Sequence, residues 1–258
     1  MEYRALFWPF GPHRHVGGRL PDKRLHPFLP GGCIGSGCVM PKILEPIWRI
    51  LYPAQCVLCG RLLADDRADL CKACEISAQV FPFTPWRIPH LKSWFPLWQY
   101  RGDVRGSLVR DKFYHRRNYC LTYGREMAKM LGKAGVRYDV ITWVPISFLR
   151  RVERGYDQVE LLAQEVGKHL GCAPVKLLHK RRHNRRQSGL RSLEARRRNV
   201  AGAYRAVNIE QIKGKRVLLL EDIITTGATI SEAARVLKEA GAKEVHGACI
   251  AAANRHGR

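Results

Sequence analysis

The chain has 258 residues, room for one substantial core with a small satellite unit beside it, and its 46% hydrophobic content excludes a wholly disordered polypeptide. Its 45 Lys and Arg against 22 Asp and Glu leave a formal charge of +23, which calls for an anionic partner: nucleic acid, phosphorylated metabolites or an acidic membrane surface. No apolar run reaches about 18 residues, so no transmembrane segment is expected, and the N-terminus lacks the three parts of a secretory signal. A cytoplasmic protein is therefore expected, whose nine cysteines favour metal binding over disulfides.

Residues 1–39 are rich in Pro, Gly, His and Arg and carry no periodicity, so a disordered extension is expected there. Met40 opens "MPKILEPIWRILYPAQCVLCG", where apolar positions recur at helical spacing before Pro53, and the natural start is expected at Met40. The helix and a cysteine module make a unit over 40–80. A connector follows over 81–100, overlapping the proline- and aromatic-rich stretch Ile76 to Trp98. Beyond it, helices are expected at Val104 to His115 and Tyr119 to Leu131, a strand at Asp139 to Ile146, an amphipathic helix at Asp157 to Leu170 and a short strand at Val175 to Leu178. An Arg-rich segment without clear period leads to a strand at Val217 to Glu221, a helix at Ile230 to Ala240 ended by Gly241, and a last strand at Glu244 to Ala252. Strands separated by helices predict an α/β domain over 101–258, a mostly parallel sheet with helices on both faces.

"CVLCGRLLADDRADLCKAC" spaces Cys56 and Cys59 from Cys71 and Cys74 by eleven residues. Two C-x-x-C pairs at this separation suit a four-cysteine site for Zn2+, each pair forming a knuckle. With all four positions taken by protein, such a metal is structural. Cys33 and Cys38 read as incidental, and Cys120, Cys172 and Cys249 as ordinary buried thiols.

In "KRVLLLEDIITTGAT" a continuous apolar strand ends in two carboxylates and a loop of threonine and glycine. The carboxyl ends of strands in open α/β sheets are where ligands bind. Backbone N–H groups ahead of a helix suit a phosphate, while Glu221 and Asp222 suit ribose hydroxyls or a hydrated Mg2+. The joint preference is a ribose 5-phosphate. The plain alternative is an acidic turn that caps the next helix. Neither a Walker A pattern nor a G-x-G-x-x-G after a strand is present, which removes the main support for P-loop and dinucleotide chemistry.

"VLLLEDIITTGATISEAARVLKEAGAKEV" closely resembles the phosphoribosyl-pyrophosphate (PRPP) motif of type I phosphoribosyltransferases. "VPISFLRRVERGYDQVELLAQEVG" and "RRQSGLRSLEARRRNVAGAY" resemble two further segments of one branch, the competence protein ComF family of amidophosphoribosyltransferase-like proteins, which also carries an N-terminal cysteine module. The resemblance covers Met40 to about Asn254 and implies a type I phosphoribosyltransferase-like fold preceded by a zinc-ribbon-like module. It implies that Glu221 and Asp222 bind the ribose hydroxyls as the catalytic carboxylates, and that Thr225, Thr226, Gly227, Ala228 and Thr229 bind the 5-phosphate. Pro145, Ile146 and Ser147 would form a pyrophosphate loop. Arg185 to Asn199 would be a flexible loop closing over PRPP with Gln187 and one of Arg196, Arg197 and Arg198. Where family members often show Asp-Asp, this chain has Glu-Asp.

Lys176 to Arg205 holds one acidic residue, Glu194, and its arginines fit PRPP's pyrophosphate, a DNA backbone or a solvated basic face. Trp86, Trp94, Phe95 and Trp98 fit stacking on single-stranded bases or packing between module and domain. Two functions follow. One is a phosphoribosyltransferase acting with Mg2+ on an unidentified acceptor. The other, implied by the resemblance, is a competence factor that binds single-stranded DNA and works with the DNA-uptake machinery in natural transformation, its PRPP site regulatory or vestigial.

Overall fold

Strands whose side chains are apolar on both faces need cover on both, and two nine-residue strands meet that condition: β5 (Arg216–Ile224) and β6 (Glu244–Ala252), buried along most of their length. The computed structural model describes residues 54–65, 69–79, 86–114, 118–182 and 193–253; the expectations for residues 1–39, for the helix before Pro53 and for Gln187 fall outside them.

In chain order the elements are α1 (Lys72–Gln79), β1 (Ser93–Gln99), α2 (Gly102–Tyr114), α3 (Asn118–Lys133), β2 (Val140–Trp143), α4 (Phe148–Arg154), α5 (Gln158–Leu170), β3 (Leu178–Lys180), α6 (Leu193–Val200), β4 (Tyr204–Ala206), β5, α7 (Ala228–Glu239) and β6. Four strands form a parallel sheet in the order β1-β6-β5-β2, and β3 and β4 pair antiparallel as a separate ribbon. The α/β architecture and the parallel sheet match the expectation.

Alternation along the strands divides the core. Ile141, Trp143, Leu218, Leu220 and Ile250 face one side, where α3, α5 and the cysteine module cover them. Val140, Val217, Leu219, Val245 and Cys249 face the other, beneath α7 and the β3–β4 ribbon. Close approach of α3 to α5 requires Gly124, because a Cβ there would lie 2.6 Å from the Glu165 side chain.

Two expectations need correcting. The stretch assigned to the connector over 81–100 supplies a strand, β1, whose Trp94 and Trp98 are core residues at 5% and 4% exposure. Its alternation is hidden by Pro96, which an edge strand tolerates. Trp86 packs edge-on against Trp94 with centroids 4.7 Å apart, and Trp98 against Tyr123 at 5.8 Å, so packing accounts for these tryptophans. The strand expected at Val175 to Leu178 lies later, at β3; Val175 reaches β2 through one bond, its amide donating to the Ile141 carbonyl at 2.8 Å.

Candidate functional site

The carboxyl edge of β5 gathers most of the residues singled out from the sequence. Register runs through Glu221 opposite Cys249 and resumes at Ile223 opposite Ala251. Glu221 is buried and Asp222 half-buried, with Asp222 Oδ1 accepting the Ile223 amide at 2.6 Å. Both carboxylates act on the Tyr204 phenol and the Cys249 thiol, whose pKa values burial already pushes up.

Beyond the strand, Thr225 and Thr226 lead to Gly227, which takes a left-handed φ of 76° and caps α7. The helix starts at Ala228, two residues earlier than expected, so Ala228 and Thr229 form its first turn. The Ala228 amide meets Thr226 Oγ1 at 3.4 Å, and the helix dipole adds positive potential at the same end. Glu221, Ile223, Ile224 and Thr225 to Thr229 line a shallow cradle of about 20 Å3. Its polar backbone and lack of depth suit a phosphate better than an apolar ligand.

Pro145, Ile146 and Ser147 follow β2, and the Val144 amide donates to the Leu220 carbonyl at 2.9 Å, so this loop leaves the sheet beside β5. Asp157 pins it: Oδ2 accepts the Ile146 amide at 3.0 Å, while Oδ1 accepts the Val159 and Glu160 amides at the start of α5. Burial pushes the Asp157 carboxyl pKa up, and those amides oppose the shift.

Arg196 projects from α6 to the phosphate-type loop, its guanidinium Nη1 lying 3.4 Å from Thr225 Oγ1. Arg197 and Arg198 are exposed, the latter 3.6 Å from Glu194. Of the three candidate arginines, Arg196 is the one brought to the strand end. Residues 193–200, expected as loop, are helical here.

Lys180 and Tyr204 belong to the same neighbourhood and were not singled out from the sequence. Lys180 Nζ lies 3.4 Å from Tyr204 Oη and 5.2 Å from the ring centroid. Burial first, then Arg150, lowers the Lys180 pKa to about 8, with Glu221 and Asp157 opposing the shift. A half-buried cation that feels carboxylates from other segments of the chain carries no local signature, so no motif announces it. The Asp157 role was partly legible, because Asp before an apolar periodic run is a helix-start signal.

Cys56, Cys59, Cys71 and Cys74 converge, their sulfur atoms all within 4.8 Å of one another. Cys59 and Cys71 are 3.7 Å apart, close to the sulfur–sulfur edge of about 3.8 Å that Zn–S bonds of about 2.3 Å make in a tetrahedron. The first pair sits on a knuckle closed by the Gly60 amide on the Cys56 carbonyl, whereas the second opens helix α1 instead of forming another knuckle. A hydrogen bond from the Cys74 amide holds the Cys71 thiol down to about 7, whereas burial pushes the Cys59 and Cys74 thiols up. The cluster can hold a metal such as zinc.

A larger cavity of about 440 Å3 lies at the opposite, amino edge of the sheet, bounded by Lys92, Arg137, Arg216, Glu244 and His246. It contains none of the residues above. Size favours it, but chemistry places the candidate site at the carboxyl edge, where carboxylates, helix start and Arg196 meet.

The profile of the phosphoribosyl transferase domain family matches residues 144–258. DNA utilization protein YhgH of Salmonella typhi is 33% identical over 235 residues, covering 86% of this chain and 97% of that protein. Its namesake in Escherichia coli K12 is 30% identical over 237 residues with the same coverage. Competence protein F of Haemophilus influenzae is 35% identical over 109 residues, which spans 42% of this chain and 47% of that protein.

Proposed function

The chain belongs to the ComF family of competence and DNA utilization proteins and carries a phosphoribosyl transferase domain, and from that premise we propose that it binds PRPP with Mg2+ at the carboxyl end of β5 and transfers the phosphoribosyl group to an acceptor in support of DNA uptake. The observation that carries this reading is the meeting of Glu221 and Asp222, the Thr225 to Thr229 cradle at the start of α7, and Arg196 on one sheet edge.

In this reading Glu221 and Asp222 accept hydrogen bonds from the ribose hydroxyls, and the amides of Thr226 to Thr229 hold the 5-phosphate. The Pro145 to Ser147 loop carries the pyrophosphate, with Arg196 and Lys180 facing its charge. As the acceptor's lone pair forms a bond to ribose C1, the bond from C1 to the pyrophosphate oxygen breaks. The leaving group keeps that electron pair and the acceptor releases a proton. Preorganised cations favour this step because the leaving charge grows where they already point. Mg2+, when bound, would spread the pyrophosphate charge further. Glu221 and Asp222 would hold its water shell. Zn2+ on the four cysteines would be structural, and the protein would work in the cytoplasm.

A second reading, a single-strand-binding competence factor without catalysis, is favoured by the exposed arginines of α6. Calorimetric titration of PRPP with Mg2+ into the chain and into an Asp222→Ala, Thr226→Ala double variant separates the two. Saturable heat from the first and none from the second is expected. Absence of binding by the folded, metal-loaded chain would overturn the transferase reading, and salt-sensitive binding that prefers single strands would then leave the second in place.

A further inference from the structure

The cavity of about 440 Å3 opens at the amino edge of the sheet, where β5 and β6 begin, and shares no lining residue with the cradle at the other end of β5. Its volume falls within the range of about 300–1,000 Å3 common to small-molecule sites. Lys92, Arg137, Arg216 and Lys243 bring four cations to its wall from four separate segments, and Glu244 is the one carboxylate that lines it. Two of the cations are already matched. Lys92 Nζ donates to Glu244 Oε1 at 2.5 Å, and Arg216 forks onto Asp139, Nη2 to Oδ1 at 2.5 Å and Nε to Oδ2 at 3.1 Å. Arg137 and Lys243 are exposed, and their side chains have no partner among the described residues. A concave wall with an excess of one sign of charge focuses its field and gathers counter-ions, so the unmatched pair favours an anion.

The rest of the lining narrows the class of anion. His246 is buried, and its Nδ1 lies 2.7 Å from the hydroxyl of Ser93, its partner across the β1–β6 pair. Nε2 faces Glu244 Oε2 at 3.4 Å. Burial lowers the His246 pKa, with Glu244 opposing and Lys92 and Arg216 adding to the fall, so the ring is neutral at neutral pH. A carboxylate on the Nε2 side places the single ring proton there, and Nδ1 then accepts from Ser93. With its proton committed, the Ser93 hydroxyl keeps lone pairs that accept from a ligand O–H or N–H. Phe95 and Val136 supply an apolar stretch of the same wall, suited to a planar ring.

We infer that the amino-edge cavity is a second ligand site, for a small phosphate monoester that carries a ring and a hydroxyl, the chemistry of a nucleoside monophosphate. Arg137 and Lys243 hold the phosphate, Phe95 and Val136 flank the ring, and Ser93 Oγ accepts from a ligand hydroxyl. The site is independent of PRPP binding at the carboxyl edge, since the two places are built from different residues.

The test is calorimetric titration of AMP, ribose 5-phosphate and inorganic phosphate into the full chain and its variants, each checked by circular dichroism. AMP should bind saturably and more tightly than ribose 5-phosphate, which lacks the ring, or phosphate alone. Arg137→Ala and Lys243→Ala should each weaken AMP by about tenfold, the loss of one charge-assisted hydrogen bond, and should leave the fold intact because neither side chain has a partner to lose. Glu244→Gln should tighten AMP by about threefold, because it removes the wall's one negative charge and frees Lys92, a gain that a misfolded variant does not produce. No saturable binding of AMP would overturn the site, as would equal binding by parent, Arg137→Ala and Lys243→Ala. Phosphate binding as tightly as AMP would remove the ring from the assignment and overturn the ligand class. Loss of AMP binding in Asp222→Ala, Thr226→Ala, with none in Arg137→Ala, would move the nucleotide to the carboxyl edge. Displacement of AMP by an oligonucleotide without terminal phosphates would give the cavity to a nucleic-acid backbone and overturn the inference as well. PRPP titration into Arg137→Ala should match the parent; a parent that binds AMP but no PRPP would leave this site standing and remove the ribose-phosphate site.

Discussion

Asp157 and Ile146 are joined by one hydrogen bond that crosses the whole of α4: the carboxylate Oδ2 accepts the Ile146 amide at 3.0 Å. Its other oxygen accepts the Val159 and Glu160 amides at 3.0 and 3.3 Å. One side chain therefore starts α5 and fixes the loop expected to carry pyrophosphate.

Asp157→Ala should remove both services. Loss of the cap and an orphaned Ile146 amide together cost about 3 kcal/mol, read as a lower urea midpoint. PRPP affinity should fall as well, because the 145–147 loop loses its tether. Asp157→Asn, with a single acceptor oxygen, should fall between the two. A variant as stable as the parent would show that the carboxylate is not holding the loop.

Metal removal should unfold more than the cysteine module. Ser107 Oγ donates to the Val57 carbonyl at 2.5 Å, Arg110 donates to the Leu58 carbonyl, and Leu58 shares a core with Trp98, Tyr123 and Ile141. Structural zinc contributes folding free energy directly. Chelation or Cys59→Ser should therefore lower the melting temperature by about 10 °C or more, with tryptophan fluorescence and far-ultraviolet dichroism changing together. Two separated transitions would mean that the module is energetically independent of the sheet.

Long, locally coded features were legible in the sequence. The helices α3, α5 and α7 follow from apolar period, the strands β5 and β6 from apolar runs, and the cluster of four cysteines from spacing. The carboxylates and the threonine loop were legible because one strand-loop-helix unit carries them all. What was not legible is non-local. The strand β1 hides behind Pro96 and its tryptophans, and is made a strand by pairing with β6, far away in sequence. Lys180 and Tyr204 become part of the site only because the β3–β4 ribbon folds over the end of β5, a placement that tertiary packing decides.

Gly227→Ala should damage the cradle. At φ 76° a side chain strains the backbone, and the new Cβ would sit 3.0 Å from Ile88 Cδ1. The backbone term is about 1–2 kcal/mol. Adding Ile88→Ala would relieve the steric contact but leave that strain, while opening a cavity where Ile88 is 2% exposed. The double variant should therefore be no more stable than Gly227→Ala alone in denaturant titrations. Full restoration of stability would show that contact with Ile88, not φ, requires glycine.

Lys180 gives the proposed site a pH dependence whose sign can be worked out. Burial first, then Arg150, lowers its pKa to about 8, against about 10.4 for an unfolded lysine, with Glu221 and Asp157 opposing. Between those values the unfolded chain binds more protons, so this group makes stability rise with pH over that window. Ligand binding runs the other way. An anionic pyrophosphate favours the ammonium and raises its pKa, so PRPP binding takes up a proton above pH 8 and weakens as pH increases, by at most about tenfold per unit for one proton. Calorimetry at pH 7.5 and about 9.5, in buffers of different ionisation enthalpy, reads both effects. Lys180→Arg should bind with little pH dependence because guanidinium stays charged. Lys180→Met should bind weakly at both pH values and release no buffer-dependent heat. A parent profile as flat as that of Lys180→Arg would place the ammonium outside the ligand's reach and leave Arg196 as the cation that meets the leaving group.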